Sequence, residues 1–139
     1  FNIYGSRQRN DWYGGVIANF IERLRRGKPP LIYGDGNQTR DFIYVRDVAE
    51  AVLRTLEVDM KAEILNIGSG KATSIKELAQ LVIAATNSES GIVHLPPRPG
   101  DVRHSLANIG RAKTLLSWNP GTSLRDGLLE TIKWFKDNR

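Results

Sequence analysis

Two arginines in this chain stand where an anion can be held. Arg40 sits where the polar, glycine-rich stretch Gly34-Asp35-Gly36-Asn37-Gln38-Thr39 meets the run Asp41-Phe42-Ile43-Tyr44-Val45. Arg98 sits among prolines, in Pro96-Pro97-Arg98-Pro99-Gly100-Asp101. A guanidinium is a planar fork of N–H donors that matches phosphate oxygens two at a time. Proline fixes φ and restricts the residue before it, so part of the ordering cost of binding is met in advance. Either arginine can instead pair with a carboxylate nearby, such as Asp41 or Asp101. Spacing leaves both readings open.

Other chemistry is sparse. Gly68-Ser69-Gly70 sits between an apolar run and a helical pattern, as a dinucleotide loop would. It lacks the third glycine at the required spacing, and the helical pattern begins only near Ser74, so it reads as a plain turn. The two histidines, His94 and His104, belong to no set with metal-ligand spacing, and there is no cysteine. No serine lies in a nucleophile-elbow context. The residues support an anion-binding unit without a catalytic site of its own.

Composition narrows the classes further. The chain has 139 residues, 40% hydrophobic and 25% charged, with a net charge of +5. This is an ordinary globular mixture that fits one modest domain. The densest basic stretch, Arg23 to Lys28, lies at a helix end, where cations complement the helix dipole. Basic residues do not alternate with aromatics as a single-strand-binding surface requires, which argues against nucleic acid. No apolar run approaches the ~20 residues of a membrane span. With no signal-peptide pattern either, the expected location is cytoplasmic.

The elements that must position the arginines follow from apolar periodicity. Val16, Ile17, Phe20, Ile21 and Leu24 predict a helix over 15–26, ended by Gly27 and the prolines after it. Strands are predicted at 31–33, 41–45, 64–67 and 92–95. A second helix is expected from Asp47, capped by that residue with Glu50 three positions on. Its buried stripe would be Val48, Ala49, Val52, Leu53 and Leu56. Ser74 and Glu77 form an S-x-x-E capping box for a third helix. Asn108 and Ser123 can cap two more. The result is a small α/β unit. The chain opens on Phe1, in what reads as the end of a strand, and its one methionine is Met60. The expectation is that an upstream half precedes it and that some apolar surface is left exposed.

Read in order, these segments resemble the extended short-chain dehydrogenase/reductases, the NAD-dependent epimerase/dehydratase family. Phe1-Asn2-Ile3-Tyr4-Gly5-Ser6-Arg7-Gln8 resembles F-N-x-Y-G-P-R-Q, and Gly15-Val16-Ile17-Ala18-Asn19-Phe20 resembles G-V-I-P-x-F. The run from Tyr33 to Asp47 is similar to Y-G-D-G-x-Q-x-R-D-F-x-Y-V-x-D. Leu65 to Gly70 is similar to F-N-I-G-x-G, Arg98 to Asp101 to R-x-G-D, and Trp118-Asn119-Pro120 to the late G-W-x-P. Ser6 and Ala18 stand where the family pattern has proline.

The resemblance implies a C-terminal domain, residues 1–139, that binds a UDP-sugar or dTDP-sugar. By it, Asn2 contacts the substrate near its diphosphate, and Arg40 and Arg98 take the diphosphate. Gly15, Val16, Leu31 and Tyr33 lie near the nucleoside, and Asp101 accepts from a ribose hydroxyl. Ser105 borders the sugar pocket, and Phe1 lies beside the nicotinamide of NAD. The family's cofactor loop and its Y-x-x-x-K pair do not occur in the chain. NAD is therefore expected on an N-terminal Rossmann domain, which also carries the catalytic residues. The parent enzyme is expected to be a homodimer and a UDP-sugar 4-epimerase, with the isolated chain inactive. A 4,6-dehydratase or a UDP-glucuronate decarboxylase would share most of these motifs. A non-catalytic nucleotide-sugar-binding module is the alternative of another class.

Overall fold

Strand β3 (Thr39–Tyr44) is the strand on which the other elements are organised, and every residue from Asp41 to Tyr44 is buried. Side chains alternate across a strand. Phe42 and Tyr44 enter one core, and Ile43 enters a second. Asp41 lies on the Ile43 side and Arg40 on the Phe42 side, at the rim. In the computed structural model, which describes residues 1–9 and 15–138, β3 is flanked by two strands. Strand β1 (Asn2–Tyr4) pairs with it in parallel, Asn2 opposite Phe42. Strand β4 (Ala72–Ser74) pairs antiparallel, Asp41 opposite Ala72. A second, two-stranded parallel sheet joins β2 (Leu31–Tyr33) to β5 (Val93–Leu95), with Tyr33 opposite Leu95. Five helices accompany these strands among the described residues, an α/β arrangement.

Helix α1 (Gly15–Arg25) ends as its sequence predicts. Gly27 takes a φ of 68°, its N–H bonds to the Leu24 carbonyl, and the Lys28 N–H bonds to the Arg23 carbonyl. This six-to-one and five-to-two pairing is a Schellman cap, and glycine suits its left-handed position. Helix α3 (Ile75–Ala85) begins at the predicted cap, with the Glu77 N–H donating to Ser74 Oγ at 3.1 Å. Ser123 caps α5 (Leu124–Asn138) in the same way, through the Asp126 N–H. The main core joins α1, α3 and α5 through Phe20, Leu78, Leu128 and Phe135. In α4 (Gly110–Leu116) the cap position falls on Ile109, and Asn108 Oδ1 accepts from the Gly110 N–H one residue earlier.

Several expectations need correction. Helix α2 (Val45–Thr55) starts two residues before Asp47, and Tyr44 holds its cap position without a side-chain bond. Asp47 is buried and accepts instead from the Thr122 N–H at 3.1 Å and the Thr122 hydroxyl at 2.9 Å. The expected stripe is not buried as a whole: Val48 is half-buried, while Val52, Leu53 and Leu56 are 58%, 61% and 80% exposed. Periodicity shows that a helix has an apolar face, not what covers it. Residues 64–67 form no strand, and Ile64 is 87% exposed. A strand requires a neighbouring ladder. Among the described residues no strand pairs with 64–67, and the Ile67 carbonyl accepts from the backbone nitrogen of Phe1 at 2.9 Å. Strand β4 was not expected; it forms because β3 offers it an edge.

Candidate functional site

Three tethers shape one cavity. The stretch after β2 is tied back by Gln38, whose Nε2 donates to the Tyr33 carbonyl at 2.8 Å. The segment after β5 is tied to that stretch at both ends. At the near end the Gly34 N–H donates to the Leu95 carbonyl at 2.9 Å, and His94 Nδ1 lies 2.8 Å from the Gly34 carbonyl. At the far end the Arg103 fork takes both oxygens of Asp35, at 2.8 Å each. That pairing holds the Asp35 carboxyl well below the usual carboxylate range. The Thr39 N–H bonds to the Arg103 carbonyl, and the Ser105 N–H bonds to the Thr39 carbonyl. The residues between, Pro96 to Val102, are thus strapped across the end of β3.

Under the strap lies a cavity of about 390 Å³. It is lined by Asn2, Val16, Leu31, Tyr33, Arg40, Arg98 and Asp101, all drawn from the sequence-based candidates. Asn2 is held by its Nδ2, which donates to the Asp41 carbonyl at 3.0 Å. Arg40 donates through Nη1 to the Thr39 carbonyl at 2.8 Å and through Nη2 to Asp101 Oδ1 at 2.5 Å. Of the two open readings for Arg40, pairing with a carboxylate is therefore realised, and the partner is Asp101. Arg98 lies over the Tyr33 ring, 3.7 Å from its centroid. Two cationic side chains, one of them seated on the tyrosine ring, thus line the cavity together with the apolar Val16 and Leu31. Such a mixture suits a ligand with an anionic segment and a flat apolar one.

Three candidates lie elsewhere. Gly15 precedes Val16 at the start of α1 but does not line the cavity. Ser105 is half-buried on the strap's far side, held by its backbone to Thr39. Phe1 is 44% exposed, and its backbone nitrogen donates to the Ile67 carbonyl. Sequence reasoning missed Gln38, Ile75, Pro99 and Gly100, which also line the cavity. Gln38 was within reach, since residues two apart in an extended chain share a side and Gln38 precedes Arg40 by two. Ile75 arrives through β4, for which the sequence gives no separate signal.

The glycine turn serves a structural purpose. Asp41, fully buried, accepts from the Ser69 N–H at 2.6 Å, the Ser69 hydroxyl at 2.7 Å, the Gly70 N–H at 2.9 Å and the Ala107 N–H at 3.2 Å. A Cβ on Gly68 would fall 2.5 Å from the Ala107 Cβ and 2.8 Å from Asp41 Oδ2, so only glycine fits the approach. The Ser69 and Gly70 N–H groups of the turn are thus taken up by Asp41. Among the described residues no cluster of His, Cys, Asp or Glu is placed to hold a metal ion, and no helix is long and apolar enough to cross a membrane.

Residues 1–68 match the NAD dependent epimerase/dehydratase family. The chain is 40% identical over 137 residues to a putative UDP-glucose 4-epimerase of Methanocaldococcus jannaschii, covering 99% of this chain and 44% of that protein. Along nearly its whole length the chain thus resembles members of the NAD-dependent epimerase/dehydratase family. Family members of other activities are nearly as similar. A UDP-N-acetyl-alpha-D-glucosaminuronate decarboxylase of Bacillus cytotoxicus is 38% identical over 143 residues, covering 99% of this chain and 44% of that one. Among solved structures, UDP-glucose 4-epimerase of Thermotoga maritima with UDP-glucose superposes with a TM-score of 0.93 at 40% identity, over 98% of this chain and 44% of that chain. The chain thus spans less than half the length of the relatives it matches.

Proposed function

We propose that this chain is the nucleotide-sugar-binding domain, residues 1–139, of an NAD-dependent UDP-sugar 4-epimerase. One observation carries the reading: Arg40, Arg98, Asp101 and Asn2 converge with Val16, Leu31 and Tyr33 on a single cavity. In this reading the arginines neutralise the diphosphate and Asp101 takes a ribose hydroxyl. The apolar wall of Val16 and Leu31 receives the nucleoside. The domain grips the nucleotide end and leaves the sugar free to present either face. UDP-glucose in the Thermotoga relative supports UDP over other nucleotides.

NAD, the cofactor in the family's description, is proposed to be bound mainly outside the described residues, with Phe1 beside its nicotinamide, and the Ser69 and Gly70 donors spent on Asp41 support that placement. It supplies hydride chemistry when bound. The chain has no Y-x-x-x-K pair, so the proton-handling residues are assigned to an N-terminal Rossmann domain. The exposed Val52, Leu53 and Leu56 face supports a covering partner of that kind. The enzyme is read as a cytoplasmic homodimer, and the isolated chain as unable to epimerise UDP-glucose or UDP-galactose. A decarboxylase is the second reading, favoured by the 38% identity to the Bacillus enzyme.

Titration calorimetry with UDP tests the site. Arg40→Ala and Arg98→Ala should each weaken binding by roughly 1.5–3 kcal/mol, the worth of a charge-assisted hydrogen bond. Arg98→Lys should recover part of that, since the charge remains while the fork is lost. Unchanged UDP affinity in both alanine variants would refute the assignment.

A further inference from the structure

Base and cation cannot share one face of Tyr33. With the Arg98 guanidinium 3.7 Å from the ring centroid, that face is covered by the cation. Stacking engages the π surface of a guanidinium and leaves its N–H edge free. The two arginines of the cavity differ in this respect. Arg40 has N–H groups committed to Asp101 and to the Thr39 carbonyl. The Arg98 guanidinium, among the described residues, makes no ion pair and no hydrogen bond, so its donors are uncommitted.

Tyr33 is itself fixed. Its backbone pairs with Leu95, three residues before Arg98, and its carbonyl takes the Gln38 amide. Pro97 and Pro99 restrict the backbone on either side of Arg98. The long side chain would still sweep several rotamers, and holding it costs entropy when a ligand binds. A ring beneath the guanidinium removes that freedom beforehand without using a donor.

We propose that Tyr33 is a positioning residue for Arg98, its ring a pedestal that holds the guanidinium edge toward a phosphate of a nucleoside diphosphate. On this view the ring contributes to anion binding even when no base is present. The proposal rests on reading the cavity as a diphosphate site and changes the part that Tyr33 plays in it.

Inorganic pyrophosphate, which has no base, separates the possibilities. Its Kd is measured by calorimetry on this chain, beside that of UDP, in wild type, Y33F, Y33L, R98A and Y33L/R98A. Arg98→Ala should weaken pyrophosphate about tenfold or more. Tyr33→Leu should weaken it about two- to fivefold, the worth of an exposed cation–π contact. Tyr33→Phe, which keeps the ring, should match wild type, and the double variant should be no weaker than R98A. If Y33L binds pyrophosphate as wild type does and loses only UDP, the ring is a base platform and the pedestal is wrong, while the diphosphate site stands. If R98A changes neither ligand, Arg98 holds no phosphate and the pedestal falls, and the diphosphate reading falls with it when R40A is equally silent. A reading that needs no leucine variant comes from NMR of wild type and Y33F. Ring current should move the Arg98 δ-methylene protons upfield in both; random-coil shifts would overturn the stacking.

Discussion

Arg40 and Asp101, sixty-one residues apart in the chain, meet at 2.5 Å inside the cavity. The ion pair is partly shielded, with side-chain exposures of 17% and 37%. A diphosphate that reaches Arg40 must share it with this carboxylate. Asp101→Ala should therefore strengthen pyrophosphate binding, by about 1 kcal/mol for a pair of this exposure. UDP should gain less, because a ribose acceptor is lost at the same time. Calorimetry with both ligands decides: equal gains would remove Asp101 from the ribose.

Sugar size offers a second prediction. A small Ser105 would leave room for a 2-N-acetyl group if the sugar extends past Asp101 toward the far end of the strap. In a full-length enzyme carrying this chain, Ser105→Tyr should suppress turnover of UDP-N-acetyl sugars and spare UDP-glucose, since added bulk acts against one ligand only. Equal loss of kcat/KM for both substrates, or no loss, would show that the residue serves only its backbone bond to Thr39.

Asp41 is expected to dominate stability among the polar residues. Its removal in Asp41→Ala leaves the Ser69, Gly70 and Ala107 N–H groups without their acceptor. Each unsatisfied buried donor costs about 1–3 kcal/mol, so a total loss of about 3–5 kcal/mol is expected in urea unfolding. A loss below about 1 kcal/mol would mean that the donors find other acceptors.

Alkaline pH should weaken the fold through Tyr4. Burial, followed by the nearby charge of Asp47, raises its phenol pKa well above the ordinary value. Burial also raises that of Tyr44, beside Glu130. A folded-state value above the unfolded value, about 10, gives a stabilisation complete below that pH and lost as pH rises toward the folded value. Tyr4→Phe should flatten the alkaline fall in melting temperature, leaving the part due to Tyr44. An alkaline limb as steep as that of wild type would exclude Tyr4 as its source.

Much of this site was legible because the residues that make it are locally marked. Arg98 announces itself by its prolines, Ser74 by its capping box, and Gly27 by the basic turn before it. What stayed hidden depends on pairing across the chain. The sequence gives the apolar pattern of α2 without showing that Val52, Leu53 and Leu56 face outward among the described residues. Asp47 looked like a cap because caps are local, yet Thr122, seventy-five residues away, supplies its donors. Residues 64–67 have strand composition and, among the described residues, no strand beside them.

Asp41 lies next to Arg40, and its four hydrogen bonds reach loops 28 to 66 residues further along the chain. The backbone beneath the cavity's arginine is thus locked by contacts that contain no part of the binding surface. An arginine mounted on a soft loop would have to trade its mobility for each ligand it captured. Arg40 stands on ground that was made firm when the chain folded, so the immobilisation cost at this position is charged to folding, and each binding event is relieved of it.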